Sequence, residues 1–230
     1  MFSLRRAVLR TAAPAFVLAA VTAAVGIGPA SAASTPAPTD ATATQYGSLG
    51  LWMLQSNGQI ADWLGQQYQG KTMYEPIDVV FVDQTSTTAA AATTRLTDDL
   101  AAGGFPARFG HSTGYQGRID GQLFAQQPAD GGDSAFSDGS ALETNDHGRV
   151  FGPAPLPGGG FVWTAAFSRE SVGFFTHNYA SFAQARADVR SGLLGSGATD
   201  LGTVALGNTA NTATTTTGDH DGNAVVLGLQ

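Results

Sequence analysis

The chain carries four histidines, His111, His147, His177 and His220, and no cysteine. Neutral imidazole is the commonest transition-metal ligand and moves protons near neutral pH, so these positions mark where chemistry could sit. The first three fall at the ends of strand-like segments, beside loops, where a sheet usually displays functional groups. Without cysteine a metal site must be built from His with Asp or Glu. Close ligand spacings such as H-x-H or H-E-x-x-H are absent. A divalent-metal site made from His111, His147 and His177, with Asp146 or another acid, must therefore be assembled across the fold. Taken singly, each histidine is more simply read as a ring tied to a neighbouring backbone or carboxylate group.

The densest stretch is "NDHGRVFGPAPLPGGGFVWTAAFSRE", residues 145–170. Side chains alternate along a strand, so His147 and Arg149 project together, away from Asp146 and Gly148. A general acid/base beside a fixed cation suits an anionic or carbonyl substrate, and His147 and His177 are the catalytic candidates. The structural alternative is Arg149 bridging to Glu170 or Asp146. Trp163 is read as an apolar or sugar-stacking wall of the same pocket. Arg186 shares a helix face with Phe182, which directs its head inward as a second anion contact. A serine nucleophile is not supported, because no G-x-S-x-G elbow occurs, and no nucleotide-binding glycine fingerprint follows the strand at 76–83. "DHDGNAVVLGLQ" imitates a calcium loop, but it has Ala224 where glycine belongs and Gln230 where a bidentate Glu belongs. A hairpin turn at Asp221-Gly222-Asn223 is the better reading.

These residues need elements to hold them. Apolar residues from Ile60 to Tyr68 recur mostly at helical spacing, which predicts a helix over 58–69. "PIDVVFVD", 76–83, reads as a buried strand. A capped helix over 88–100 ends at Gly103-Gly104. Residues 105–143 are glycine-rich and read as short strands and long loops. Strands at 149–151 and 161–167 flank a loop at 152–160, and Ser181 caps a helix over 181–194 with an apolar stripe of Phe182, Ala185, Val189 and Leu193. Two strands, "LGTVALG" and "NAVVLGL", close the chain. The order predicts a single-domain α/β or α+β fold, a mixed β-sheet covered by about three helices.

Residues 1–32 read as a secretory signal peptide: Arg5, Arg6 and Arg10 precede an apolar run and a small-residue cleavage site. Arg5-Arg6 fits an ordinary or a twin-arginine signal. Residues 33–44 read as a Pro/Thr/Ala-rich linker, and 45–230 as the globular domain with a β-rich tail. No stretch after the signal approaches about 18 consecutive apolar residues, so no transmembrane anchor is expected, and the localisation is secreted, extracellular or cell-wall associated. The whole chain has a formal charge of −7. Losing three arginines makes the remainder more acidic, which disfavours nucleic acid as a partner. With 43% hydrophobic residues, it can build a core without disulfides. The Ala-, Gly- and Thr-rich composition, with Lys71 the only lysine, points to a high-GC actinobacterial source.

The pattern over residues 74–194 resembles the LssY C-terminal domain family. It is carried by the "PIDVVFVD" strand, a helix ending at Leu100 to Phe105, His147-x-Arg149, the W-x-x-A strand from Trp163 to Ala166, Thr176-His177, and Arg186 on the last helix. Asp146-His147-Gly148-Arg149 stands where the family tends to carry paired histidines. The resemblance implies His147, Arg149, His177 and Arg186 as site residues. It implies little about activity, because such domains are joined in many members to integral-membrane phosphatase-like or DedA-like regions. Two functions stay open: a module binding a small anionic or cell-envelope ligand in a His/Arg pocket, and a metal-assisted hydrolase of phosphate esters or other envelope components.

Overall fold

Glycines, prolines and short β-branched runs divide this chain into many strands. The computed structural model describes residues 35–129, 132–173 and 176–230. The first elements are β1 (Ala41–Thr44), β2 (Gly47–Gly50), β3 (Gln67–Tyr68), β4 (Lys71–Met73), β5 (Val79–Asp83) and α1 (Ala89–Ala102). Next come β6 (Ala107–Phe109), β7 (Gln116–Ile119), β8 (Gln122–Gln127), β9 (Asp133–Ser137), β10 (Asn145–Pro155) and β11 (Phe161–Gly173). The chain ends with β12 (Thr176–Ser181), α2 (Phe182–Ser196), β13 (Thr199–Ala205), β14 (Thr215–Thr216) and β15 (Asn223–Gly228). The signal-peptide reading, 1–32, lies outside the described residues, and the end of the segment read as a linker is strand β1.

Twelve strands form one sheet, whose main path runs β1-β2-β7-β8-β10-β11-β5-β15-β13. All its pairings are antiparallel except β15 on β5. The sheet curls into a nearly closed, barrel-like form. Thr42 of β1 donates to the carbonyl of Leu206, just beyond β13, and so draws the two ends of the path together.

This architecture corrects the expectation of a sheet covered by about three helices. Strand takes 45% of the chain, and only two α-helices occur among the described residues. The expected helix over 58–69 is instead a single 3-10 turn, Trp63–Gly65, capped by Asp62. Its surroundings are committed to sheet-like pairing: Ala61 bonds the backbone of both Met53 and Glu75, and Ile60 bridges Leu54. Gly58, Gly65 and Gly70 all take positive φ, a conformation that interrupts a helix. The apolar residues that look helical in sequence therefore feed separate clusters. Helices α1 and α2 do form, each capped by the hydroxyl just before it, Thr88 and Ser181. No described helix is long and apolar enough to cross a membrane.

The β10–β11 pair divides the molecule into two compartments. Val150 of β10, with Trp163, Ala165 and Phe167 of β11, faces the two helices and packs on Leu96, Leu100 and Leu193. Phe151, Val162 and Ala166 face the barrel interior with Leu49 and Met53. Strand period two thus sends Asn145, His147 and Arg149 inward and Asp146 outward to α2, where Arg169 bridges Asp146 and Asp188. Gly148 is required by closeness: a Cβ there would sit 2.5 Å from the Phe167 ring.

Asp78, just ahead of β5, is fully buried. Its Oδ1 accepts from the Phe167 amide at 3.0 Å, and its Oδ2 has no partner among the described residues. Burial raises its pKa well above the usual carboxylate value, with Glu75 adding to the rise and Arg186 opposing it. The folded state then binds this proton more tightly than the unfolded chain, whose value is about 3.9. Stability is lost as pH rises from about 4 through the folded pKa. Asp78→Asn keeps the acceptor and removes the titration, so it is expected to gain on the wild type in urea unfolding as pH goes from about 5 to 8. A difference between the two that does not change with pH would contradict this.

Candidate functional site

Three strands and three connecting segments converge on one cavity. Register sets Asn145 opposite Glu170 and His147 opposite Ser168 across β10–β11, so Asn145, His147, Ser168 and Glu170 form one inward patch. β12 adds His177, paired with Val172. The loop between β6 and β7 delivers His111 and Ser112, anchored where the His111 amide donates to Ser134 Oγ at 2.9 Å. The segment before β5 adds Glu75, and the 3-10 turn adds Trp63 and Leu64. Most of these residues line a half-open cavity of about 170 Å³, with exposed Leu64 in its wall.

Within this cavity His111, His147 and Glu170 each place a ligand atom within 4.8 Å of the others. The two imidazoles stack, with centroids 4.6 Å apart and planes 28° from parallel. Burial, reinforced by the Arg149 charge, holds the His111 pKa down to about 4 and the His147 pKa well below the usual value. Both rings are therefore neutral at pH 7, which leaves each a nitrogen lone pair. His111 Nε2 is buried and has no partner among the described residues, as befits a ligand nitrogen.

Asn145 sets the tautomer of His147. Its amide nitrogen donates to Glu170 Oε1 at 2.6 Å and to the carbonyls of Ser140 and Glu143. Those acceptors fix the amide orientation, so Oδ1 receives the proton of His147 Nδ1 at 3.1 Å. Nε2 then keeps the lone pair. Glu170 is held at its other oxygen by His177 Nδ1 at 3.0 Å. His147 and Glu170 thus each have an orienting hydrogen bond of the kind that holds ligands at metal centres, whereas His111 is placed through its backbone.

Arg149 lies beside this group, almost wholly buried. One of its terminal nitrogens donates to Ser112 O and Oγ at 2.8 and 3.0 Å, and its guanidinium lies over the Tyr115 ring at 5.2 Å. Its Nε has no partner, and no carboxylate forms an ion pair with it among the described residues. A buried cation without a direct counter-ion is costly and fits an anion-binding role. Burial pushes Glu75 up to about 7 against the pull of Arg149.

No family model matches the chain, and no curated protein or solved structure matches it either. The geometry alone therefore carries the functional reading. Of the residues expected from sequence, His111, His147, His177 and Arg149 meet at this cavity. His177 bonds Glu170 and falls outside the triad, whose third position the carboxylate fills. Arg186 does not line the cavity; it grips Asp221 at 2.6 Å and the Asn223 carbonyl. Trp163 points to the helix side of the sheet and is fully buried in the core, so it offers no wall to a ligand. Sequence reasoning gave Glu170 only a salt-bridge role and passed over Glu75, Asn145 and Trp63. The usable signal for Glu170 was strand alternation on both arms of one hairpin.

Proposed function

We propose that this chain is a metal-dependent phosphoesterase acting on small anionic substrates, with one divalent first-row transition ion held by His111, His147 and Glu170. The observation that carries the reading is this buried triad, whose ligand atoms lie within 4.8 Å of one another beside a cavity. Structural zinc sites close with four protein ligands, whereas catalytic sites keep three and leave a position for water or substrate. A divalent ion bound there supplies Lewis acidity to a phosphoryl oxygen. The protein's own residues do the rest: Arg149 receives an anionic oxygen, His177 and Asn145 orient Glu170, and Trp63 closes one side, its indole nitrogen tied to Ser168 Oγ at 3.2 Å.

Charge favours this reading over a metal-free anion site. Without an ion, the Glu170 carboxylate offsets the charge of Arg149 within the cavity and weakens its pull on an anion. With a metal ion the cavity becomes net positive and matches a phosphate ester. The likeness to the LssY C-terminal domain belongs to the same proposal, and of its four site positions His147, Arg149 and His177 line the cavity.

The test is turnover of 4-nitrophenyl phosphate, bis(4-nitrophenyl) phosphate and 4-nitrophenyl acetate by the chelator-stripped protein, before and after zinc, manganese or cobalt is restored. Turnover of a phosphate probe that appears only with metal is expected. Metal-independent turnover, or turnover of the acetate alone, would contradict the proposal.

A further inference from the structure

Glu75 is a buried carboxyl that meets the Trp63 backbone and the field of Arg149 but pairs directly with no cation among the described residues. Its backbone is fixed on both sides, with Met53 N donating to its carbonyl at 3.0 Å and its own N–H donating to Ala61 O at 3.1 Å. The side chain forms no ion pair among the described residues. It is not part of the cluster formed by His111, His147 and Glu170, yet it lines the same cavity. A carboxyl buried without a counter-ion lowers stability, and sites where stability is given up are commonly sites of function.

We propose that Glu75 is the proton-transfer residue of this cavity, moving a proton between water and the leaving group of a phosphate ester whose anionic oxygen is held by Arg149. The proposal rests on the phosphoesterase reading. The step balances within the cavity. One O–H bond of a water molecule breaks and its proton goes to the Glu75 carboxylate, while the water oxygen's electron pair forms the new bond to phosphorus. The ester P–O bond breaks with its electron pair on the leaving oxygen, and Glu75 returns the proton there. Phosphate and an alcohol leave, and Glu75 is again a carboxylate. No redox partner is involved. The position suits the role, because the carboxyl belongs to a segment separate from the triad, whose backbone is fixed by pairing with Met53 and Ala61. General acid/base catalysis by a positioned carboxyl is worth about 10²–10⁴-fold.

The experiment compares wild type, Glu75→Gln and Glu75→Ala, each loaded with metal, using the phosphate probe the wild type turns over. Metal content and thermal midpoint are measured in parallel. Glu75→Gln is expected to keep one equivalent of metal, to melt no lower than wild type, and to lose about 100-fold or more in kcat. Glu75→Ala is expected to regain part of its rate with added formate, which a merely structural loss would not allow. A Gln variant that turns over within a few-fold of wild type would overturn the role of Glu75 and leave the phosphoesterase reading intact. Loss of metal in the Gln variant would make Glu75 a ligand, which also overturns it. A wild type that holds metal but turns over no phosphate probe would end both.

Discussion

Glu170→Gln is expected to weaken divalent-ion binding by more than the ~100-fold that loss of an outer hydrogen bond can cost, while the fold persists. The substitution preserves shape and removes the one charge among the three proposed ligands. It also disturbs two contacts at once, since Asn145 and His177 each bond one oxygen of this carboxylate. Asn145→Ala and His177→Phe should weaken binding by only about 10–100-fold, because they orient ligands without supplying one. Competition against a chromophoric chelator reads all three on one scale. Equal affinity in Glu170→Gln and wild type would remove the carboxylate from the site.

Trp163→Ala is expected to cost about 3–5 kcal/mol of stability and to leave metal stoichiometry unchanged. Trp163 is fully buried among Phe81, Val150 and the side chains of α1 and α2, so truncation opens a cavity that close-packed neighbours cannot fill. Gly152 shows how tight the packing is, because a Cβ there would lie 2.6 Å from Trp163 Cδ1. Trp163→Phe should cost much less, since the indole N–H it removes has no partner among the described residues. Urea unfolding with metal analysis of the folded protein separates the two effects. A stable Trp163→Ala protein with altered ligand binding would return this residue to the pocket.

Strands and helices with strong local signals were legible in the sequence. The β-branched run became β5, hydroxyl residues capped α1 and α2 within a residue or two of the expected starts, and Gly103-Gly104 stopped α1. The false helix at 58–69 shows where periodicity fails: pairing with Met53 and Glu75 overrode it. Residues 105–143 looked irregular because their strands are short, although Asp120-Gly121, both at positive φ, carries the usual signal of a two-residue hairpin turn. In the site, alternation correctly put His147 beside Arg149. It could not show that Glu170 lies across from Asn145, because that depends on the register of a hairpin whose turn is long. His111 comes from a loop distant in sequence, and the pairing of β6 with β9 and of β9 with β10 brings its ring onto His147. Arg186 was misread because a face shared with Phe182 does not reveal Asp221, which the tail brings to the same helix.

Whether one divalent ion sits among His111, His147 and Glu170 is read from anomalous diffraction of crystals grown with zinc. A single strong peak is expected at the zinc edge, about 2.0–2.2 Å from a nitrogen of each histidine and an oxygen of Glu170, with His177 outside ligand distance. A well-ordered cavity with no peak, or a peak elsewhere while these three side chains keep only one another for company, would contradict the proposed site.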